Sequence, residues 1–239
     1  MLWRSLFLVV GLIASGATFA DGGMSAKQAA IFEYYFQNDF DSFLKGARSV
    51  SGGILDIERV TAKKISDDYR QNEVLGDQQY YRKRLLVAGN VKAIKSGMGN
   101  SPFLVLDGPE FSAVQAEFDG GSAPRVAKLR KGAKVMIVCQ GGGIVLGAPM
   151  LAGCRFGDEL ESDIKEKMLG AIRHPENDEF DGLGLRMGAL LSVSEARLGE
   201  KTRCGIDQKA CDKELSALNK SKSFDQEVKA KAEAMKASR

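Results

Sequence analysis

The sequence predicts an α+β fold in which a five-stranded Greek-key barrel lies between an N-terminal helix and a C-terminal helical extension. An aromatic stripe at helical spacing occupies residues 25–48, and helical periodicity returns after Gly157. Between them, β-rich runs follow the order strand, strand, strand, helix, strand, strand over about 80 residues. This order is that of the OB fold, a small five-stranded barrel.

The N-terminus has the layout of a secretory signal peptide. Residues 1–20, MLWRSLFLVVGLIASGATFA, place one cation, Arg4, before a short apolar run that ends in small residues. The run is too short to cross a bilayer whose hydrocarbon core is about 30 Å thick. We expect cleavage after Ala20, with Ala17 or an uncleaved anchor as alternatives. No cysteine follows the run to carry a lipid, so we expect a periplasmic protein that is not a lipoprotein.

Charge and cysteine content limit the classes of function. The chain has 34 Lys and Arg residues against 31 Asp and Glu residues, a balance that gives no field for capturing polyanions. Its length suits one domain with extensions or two small domains. Four cysteines in an oxidising compartment predict two disulfides.

Residues 21–65 are expected to form the N-terminal helix and a segment that links it to the barrel. Ser25 and Gln28 have the spacing of a capping box. The glycine pair at 52–53 predicts the end of the helix and the start of an extended segment. Apolar side chains that recur every three or four residues predict one buried helical stripe, made of Phe32, Phe36, Phe40, Phe43, Leu44 and Ala47.

The barrel is predicted over residues 66–157, and it begins with a polar stretch. We interpret this stretch as a helix whose tyrosines pack against the sheet and whose polar groups cap and orient the chain. The alternative is acid–base chemistry, since carboxylates beside tyrosines can exchange protons in a cleft. The side chains of this possible binding or structural motif are Tyr69, Asn72, Glu73, Asp77 and Tyr80.

Strand patterns dominate the rest of the barrel. The first three strands are predicted within residues 84–94, 102–108 and 111–118. Alternation turns Phe118 inward, which leaves few aromatic rings on the outer face for stacking bases. A short helix is predicted to end at Gly132, and two further strands follow.

Motifs spread along this region resemble those of the tRNA-anticodon-like OB-fold family of bacterial exported proteins. The blocks that carry the resemblance are YRQNEVLGDQQYYRKRLLVAGNVKAI, LVLDG, LRKGAKV and LAGC. In that family a Tyr, then Asn-Glu, then Tyr-x-x-Lys/Arg lead into the first strand, and a Lys-Gly pair opens the fourth. The resemblance implies an OB barrel. It implies no activity, and no family-wide catalytic residues carry over.

The segment VCQGGGIVLGAPMLAGC carries two cysteines around a triple glycine. A hairpin that turns at Leu146 and Gly147 sets Cys139 opposite Cys154, at a separation near the range that a disulfide needs. We therefore expect a cross-strand disulfide. The triple glycine lacks the helix N-terminus, Lys and Ser or Thr of a phosphate loop, so we expect a bulge or tight bend.

Residues 158–218 are predicted to form the helical extension, and residues 219–239 a flexible, Lys-rich tail that is either a frayed helix or disordered. Within the extension, Cys204 and Cys211 are expected to form a second, local disulfide. We expect no metal site, because zinc would need further ligands and the single histidine, His174, lies in a polar loop. No cofactor is expected either.

We interpret the protein as a non-enzymatic periplasmic module for binding or assembly, whose partner is an unknown envelope protein or cell-wall component. Two alternatives stay open. The barrel face could bind single-stranded nucleic acid or an oligosaccharide, although export and near-neutral charge argue against nucleic acid. Carboxylates such as Glu73 and Asp77 could instead serve a cryptic hydrolase.

Overall fold

The structure, a computed structural model, describes residues 24–97, 101–177, 179–180 and 182–238. The predicted signal peptide and its cleavage positions lie outside the described residues. The helices are α1 (Ala26–Leu44), α2 (Val50–Ile54), α3 (Ala62–Gln71), α4 (Glu73–Tyr80), α5 (Ala123–Val126), α6 (Glu161–Arg173), α7 (Leu183–Leu198), α8 (Gln208–Leu218) and α9 (Lys222–Ala237). The strands are β1 (Glu58–Thr61), β2 (Arg84–Asn90), β3 (Ala93–Ser96), β4 (Pro102–Val105), β5 (Gln115–Phe118), β6 (Lys134–Val145) and β7 (Ala148–Phe156). Within the described ranges, no helix is both long and apolar enough to span a membrane.

The strands form one mixed sheet of seven strands, in the order β1-β2-β6-β7-β5-β4-β3. The pairs β1–β2 and β5–β7 are parallel, and the other neighbouring pairs are antiparallel. The α+β class is therefore confirmed. The hydrogen-bonded order is open, and it contains more strands than the five predicted.

Two differences account for the additional strands. Where the sequence predicts only an extended linker, β1 adds to β2 in parallel. The run predicted as one strand over residues 84–94 divides into β2 and β3, because its middle residues bond to different neighbours. The Val91 N–H donates to the Ala133 carbonyl oxygen at 2.8 Å. The Lys92 N–H donates instead to the Val105 carbonyl oxygen, at 2.8 Å.

Alternate residues of the central strands enter two separate cores. Leu85 of β2 packs in a cluster with Tyr69 and Tyr80 and with side chains of β4 to β7, which we call the sheet core. Leu86, the next residue, packs in a second cluster with α1, α6, α7 and α8, which we call the helical core. Val138 of β6 enters the helical core in the same way. The sheet therefore separates the two cores and contributes side chains to both.

Helix α1 begins with the predicted capping box. Ser25 Oγ accepts from the Gln28 N–H at 3.1 Å, and the Ser25 N–H donates to Gln28 Oε1 at 3.1 Å. The four phenylalanines of the predicted stripe are buried in the helical core: Phe32, Phe36, Phe40 and Phe43. An N-cap and a regular apolar stripe were therefore sufficient to locate this helix.

The glycine pair that follows lies inside a helix, which differs from the prediction of an extended segment. Gly52 and Gly53 belong to α2. The Asp39 carboxylate of α1 accepts from the N–H groups of Val50 and Ser51, at 2.6 and 2.8 Å. These contacts satisfy donors that the first turn of a helix leaves free, so a tertiary contact overrides the glycine signal.

The C-terminal residues form α9, which corresponds to the helical alternative for the tail, and this helix packs against the rest of the chain. Phe224 is 2% exposed. Arg197 of α7 pairs with Glu227 of α9, and the Met235 methyl carbon lies 3.4 Å from a Cβ built at Gly188. Composition alone does not reveal this helix, because its apolar residues are few. They recur at helical spacing, so one face of α9 packs on α7.

Candidate functional site

The predicted Tyr–Asn–Glu–Asp–Tyr motif divides between two helices, and its hydroxyls join them. The Tyr69 hydroxyl of α3 donates to Asp77 Oδ1 of α4 at 3.0 Å. The Tyr80 hydroxyl of α4 donates in return to Asp68 of α3. Asn72 stands between the helices, and its side chain accepts from the first N–H groups of α4. These contacts make the motif a structural joint between α3 and α4.

The same contacts keep both tyrosines protonated. Burial, followed by the hydrogen bond to Asp77, raises the pKa of Tyr69 well above its ordinary value. Burial and the bond to Asp68 raise the pKa of Tyr80 in the same way. Burial acts to raise the pKa of Asp68 too, but bonds from Tyr80 and Lys64 outweigh it, and the net shift is downward. Both tyrosines therefore remain protonated as hydrogen-bond donors, and Asp68 remains ionised as an acceptor.

The two carboxylates considered for hydrolysis are in different situations. Asp77 accepts the Tyr69 hydroxyl. Glu73 is exposed in the first turn of α4, where its charge suits the positive end of the helix dipole. Asp77 is thus half-buried and already hydrogen-bonded, whereas Glu73 is exposed.

The triple glycine lets backbone segments approach side by side. A Cβ at Gly141 would lie 2.0 Å from the Tyr80 carbonyl oxygen, so only glycine fits there. The Arg82 N–H donates to the Gly141 carbonyl oxygen at 2.8 Å, and the Gly141 N–H donates to that of Lys83 at 2.9 Å. The β6–β7 pairing shifts register between Gly141 and Ile144. The predicted bulge is present, and α4 packs against it.

The cross-strand pair of cysteines is joined as predicted. The Cys139 and Cys154 sulfur atoms lie 2.07 Å apart, with Cα atoms 4.2 Å apart. Ile137 pairs with Phe156, in the register that a turn at Leu146 and Gly147 predicts. The disulfide lies in the sheet core and joins the two longest strands.

The second pair also forms, within the helical core. The Cys204 and Cys211 sulfur atoms lie 1.95 Å apart, and the bond joins the loop after α7 to the first turn of α8. His174 is exposed, with Nδ1 3.3 Å from Glu176 Oε1. Over the part of the chain that the structure describes, no group of His, Cys, Asp and Glu could hold a metal ion.

The tip of the β6–β7 hairpin carries exposed apolar side chains that sequence reasoning did not single out. Leu146 is 99% exposed, Val145 54% and Phe111, in a neighbouring loop, 83%. A Cβ built at Gly147 would lie 3.5 Å from the Phe111 carbonyl oxygen, so the loop and the turn are adjacent. We call Phe111, Val145 and Leu146 the hairpin tip. The sequence feature that could have indicated this surface is a large apolar residue, Leu146, before Gly in a two-residue turn.

The outer face of β3, β4 and β5 is poorly suited to the stacking of nucleic-acid bases. Phe103 of β4 lies between Lys95 of β3 and Glu117 of β5 in the pairing register. Phe118 is buried, as alternation predicted. One partly exposed ring beside a carboxylate does not make a surface on which successive bases stack.

Comparisons with known proteins give a family and distant likenesses among solved structures. A family model described as tRNA_anti-like matches residues 4–155. No curated protein matches the chain. Among solved structures, a proposed nucleic acid-binding lipoprotein from Klebsiella pneumoniae subsp. pneumoniae MGH 78578 is 16% identical. The match covers 43% of this chain and 93% of that one, with a TM-score of 0.35.

Proposed function

The chain belongs to the tRNA_anti-like family, and from this premise we propose that it is a non-enzymatic binding module of the periplasm. In this proposal an OB barrel presents the hairpin tip to another envelope protein. The observation that carries the proposal is the conformation and exposure of Leu146.

The barrel is part of the proposal, and the connectivity supports it. β2 and β3 are consecutive in the chain yet stand at separate places in the sheet order. The two residues between them bond to Ala133, beside β6, and to Val105, at the end of β4. A single bent strand that pairs on both sides is how an OB barrel closes. The parallel pair β5–β7 and the antiparallel pairs β2–β6 and β6–β7 complete the pattern.

Leu146 combines two unfavourable features, a left-handed backbone conformation and an exposed apolar side chain. Its φ is 51°, in the left-handed region that costs a residue with a Cβ roughly 1–2 kcal/mol. Its side chain is almost fully in water, which forgoes the roughly 2 kcal/mol that burying a leucine contributes. Asn or Gly would suit this turn better. A partner that buries the Leu146 side chain supplies the free energy that its exposure to water forgoes.

The charges beside the hairpin tip favour a protein over a membrane as the occupant. Glu110 precedes Phe111 in the chain, and Asp77 Oδ1 lies 3.5 Å from a Cβ built at Gly143, close to Val145. Carboxylates at these places are repelled by anionic lipid headgroups. An apolar pocket with basic groups at its rim would accept the same surface.

The cysteines support the location outside the cytoplasm that the proposal assumes. Two disulfides indicate an oxidising compartment. The apolar N-terminal run of the sequence favours the periplasm as that compartment.

The experiment compares Leu146→Asn with Ile206→Asn in cells that export the tagged protein. Both residues are exposed, Ile206 to 79%, but Ile206 lies in the loop before α8. We expect chemical crosslinking to join the wild type and Ile206→Asn to one partner protein, and Leu146→Asn to lose that product. Asparagine tolerates a positive φ, so the variant should fold as stably as the wild type.

Two outcomes would overturn the proposal. Equal crosslinking of both variants would show that the hairpin tip is not the contact. Binding of the purified protein to phosphatidylglycerol vesicles that is lost in Leu146→Asn would assign the tip to a membrane. Glu73→Gln, included alongside, should leave crosslinking unchanged, because the proposal gives Glu73 no part in the contact.

A further inference from the structure

We propose that a groove lined by Arg82, Arg84, Gln140 and Arg155 binds a phosphate monoester group. The groove has a volume of about 280 Å³. It does not include the hairpin tip, so this inference stands or fails independently of the docking proposed above.

The groove forms where the helical layer stops covering the sheet. Leu86 and Val138, paired across β2 and β6, are buried under the helices. Arg84, two residues before Leu86, pairs with Gln140, two residues after Val138, and both side chains are exposed. Alternation places this uncovered row on the same face as the buried one. Leu160 lines the groove beside Val138, where the helical layer begins.

Two of the three arginines have no anionic partner of their own. Arg155 contacts Asp163 at 2.8 Å and donates to the Glu159 carbonyl oxygen at 2.6 Å. Neither the Arg82 guanidinium nor the Arg84 guanidinium makes an ion pair or a hydrogen bond with a described residue. Another carboxylate oxygen, Asp119 Oδ1, lies 3.6 Å from a Cβ built at Gly153 on the groove wall.

The backbone of Arg82 gives a second, independent observation. Its φ is 60°, a left-handed conformation that a residue with a Cβ rarely adopts. The conformation is held by the Arg82 N–H bond to Gly141 and by the Lys83 N–H bond to the Tyr80 carbonyl oxygen. Glycine would meet the same requirement without strain. An arginine at such a position, with no carboxylate partner, is explained by a ligand.

The walls of the groove are already rigid. Cys139 lines it, and its disulfide to Cys154 fixes β6 against β7. The Arg82 guanidinium carbon lies 5.1 Å from the centre of the Tyr81 ring, which orients the side chain. The Gln140 amide donates to the Arg82 carbonyl oxygen at 3.3 Å. Binding therefore needs little ordering of the protein.

Phosphate matches these donors better than a single carboxylate. Two guanidinium groups without partners carry two positive charges, and a phosphate monoester carries a charge of about −1.5 to −2 at neutral pH. Guanidinium forks also bond phosphate oxygens in pairs, as the planar geometry of Arg favours. The phosphate could belong to a free ester or to a lipid headgroup, and the experiment separates these sources.

The test is calorimetric titration of the exported, disulfide-bonded protein with glucose 6-phosphate, with glucose as the uncharged control. A parallel arm measures sedimentation with vesicles that contain phosphatidic acid, against vesicles of phosphatidylcholine alone. We expect saturable binding of the phosphate-bearing probe in at least one arm. Binding of glucose 6-phosphate assigns a free ester, and binding of phosphatidic acid alone assigns a lipid headgroup.

Three variants decide whether the groove is responsible. Arg84→Gln should weaken binding by about tenfold, the loss expected for one charge-assisted contact. Arg82→Gly should weaken binding while its midpoint of thermal unfolding rises, because glycine relieves the backbone strain. Arg130→Gln, which removes an exposed arginine outside the groove, should change neither property. Binding in neither arm, or equal binding by Arg84→Gln and Arg130→Gln, would overturn the proposal.

Discussion

The hydroxyls of Tyr69 and Tyr80 join α3 to α4 through two carboxylates, Asp77 and Asp68. Both tyrosines were expected to pack against the sheet and to orient the chain, and both are buried in the sheet core. Gly76 permits this, since a Cβ there would lie 2.6 Å from the Tyr69 ring. The hydroxyls reach Asp77 and Asp68, so burial leaves no donor unsatisfied.

A pH dependence follows from the two tyrosines. Their pKa values in the folded protein lie above the ordinary value of 10.0, so the folded state retains protons that the unfolded chain loses. The free energy of unfolding should therefore be unaffected by these groups below about pH 10 and fall as the pH rises further. Chemical denaturation at about pH 9 and about pH 11 measures the decline.

The double variant Tyr69→Phe, Tyr80→Phe is the matched test of that prediction. It should be less stable at neutral pH by about 2 kcal/mol, roughly 1 kcal/mol for each lost hydrogen bond. Its further decline at high pH should be smaller than that of the wild type. Tyr34→Phe, outside the motif, should decline like the wild type; an equal decline in all three proteins would contradict the assignment.

Gly141 gives the second prediction at this scale. Gly141→Ala places a Cβ against the Tyr80 carbonyl oxygen, and backbone on both sides must move. We expect the free energy of unfolding to fall by about 3 kcal/mol in urea denaturation. Gly120→Ala, where a Cβ meets nothing within 4 Å, is the control and should be close to neutral. Comparable losses in both variants would contradict the proposed packing of α4 on the bulge.

At the scale of elements, the β6–β7 hairpin illustrates what a pattern alone can establish. Register arithmetic from the turn at Leu146 and Gly147 was sufficient to pair Cys139 with Cys154. It did not place the register shifts, which lie between Val138 and Gln140 and between Gly141 and Ile144. Gly141, between the two shifts, contacts the end of α4, which is distant from the hairpin in the chain.

The two disulfides should differ in their effect on stability. They close loops with sequence separations of 15 and 7 residues. On the chain-entropy model, replacing both Cys139 and Cys154 by Ala should cost about 3 kcal/mol, and the same change at Cys204 and Cys211 about 2 kcal/mol. Urea denaturation of the two double variants measures the difference. A larger loss from the shorter loop would contradict the entropic account.

Helices α1 and α9 mark the limits of prediction from periodicity. Four phenylalanines at helical spacing made α1 evident, since such a stripe must be buried. In α9 one buried aromatic, Phe224, and an ion pair from Arg197 to Glu227 hold a Lys-rich segment against α7. A helix that depends on a partner already in place has no comparable signal of its own.

At the scale of the whole molecule, the sheet organises everything else. One set of alternating side chains fills the sheet core, and the other set fills the helical core. The helical layer covers only part of that second face. The hairpin tip lies at the end of the β6–β7 hairpin, and the arginine groove lies where the cover stops. Both candidate surfaces are thus places where strands continue beyond their packing partners.

The sequence by itself determined the α+β class, the N-terminal helix and the pairing of the cysteines. These depend on local periodicity, caps and turns, which neighbouring residues specify. Only the tertiary structure decided which exposed side chains meet. Arg82 and Arg155 are 73 positions apart in the chain, and Phe111 meets the Leu146 turn across a loop. Contacts between distant segments depend on how the elements pack, and no local pattern records them.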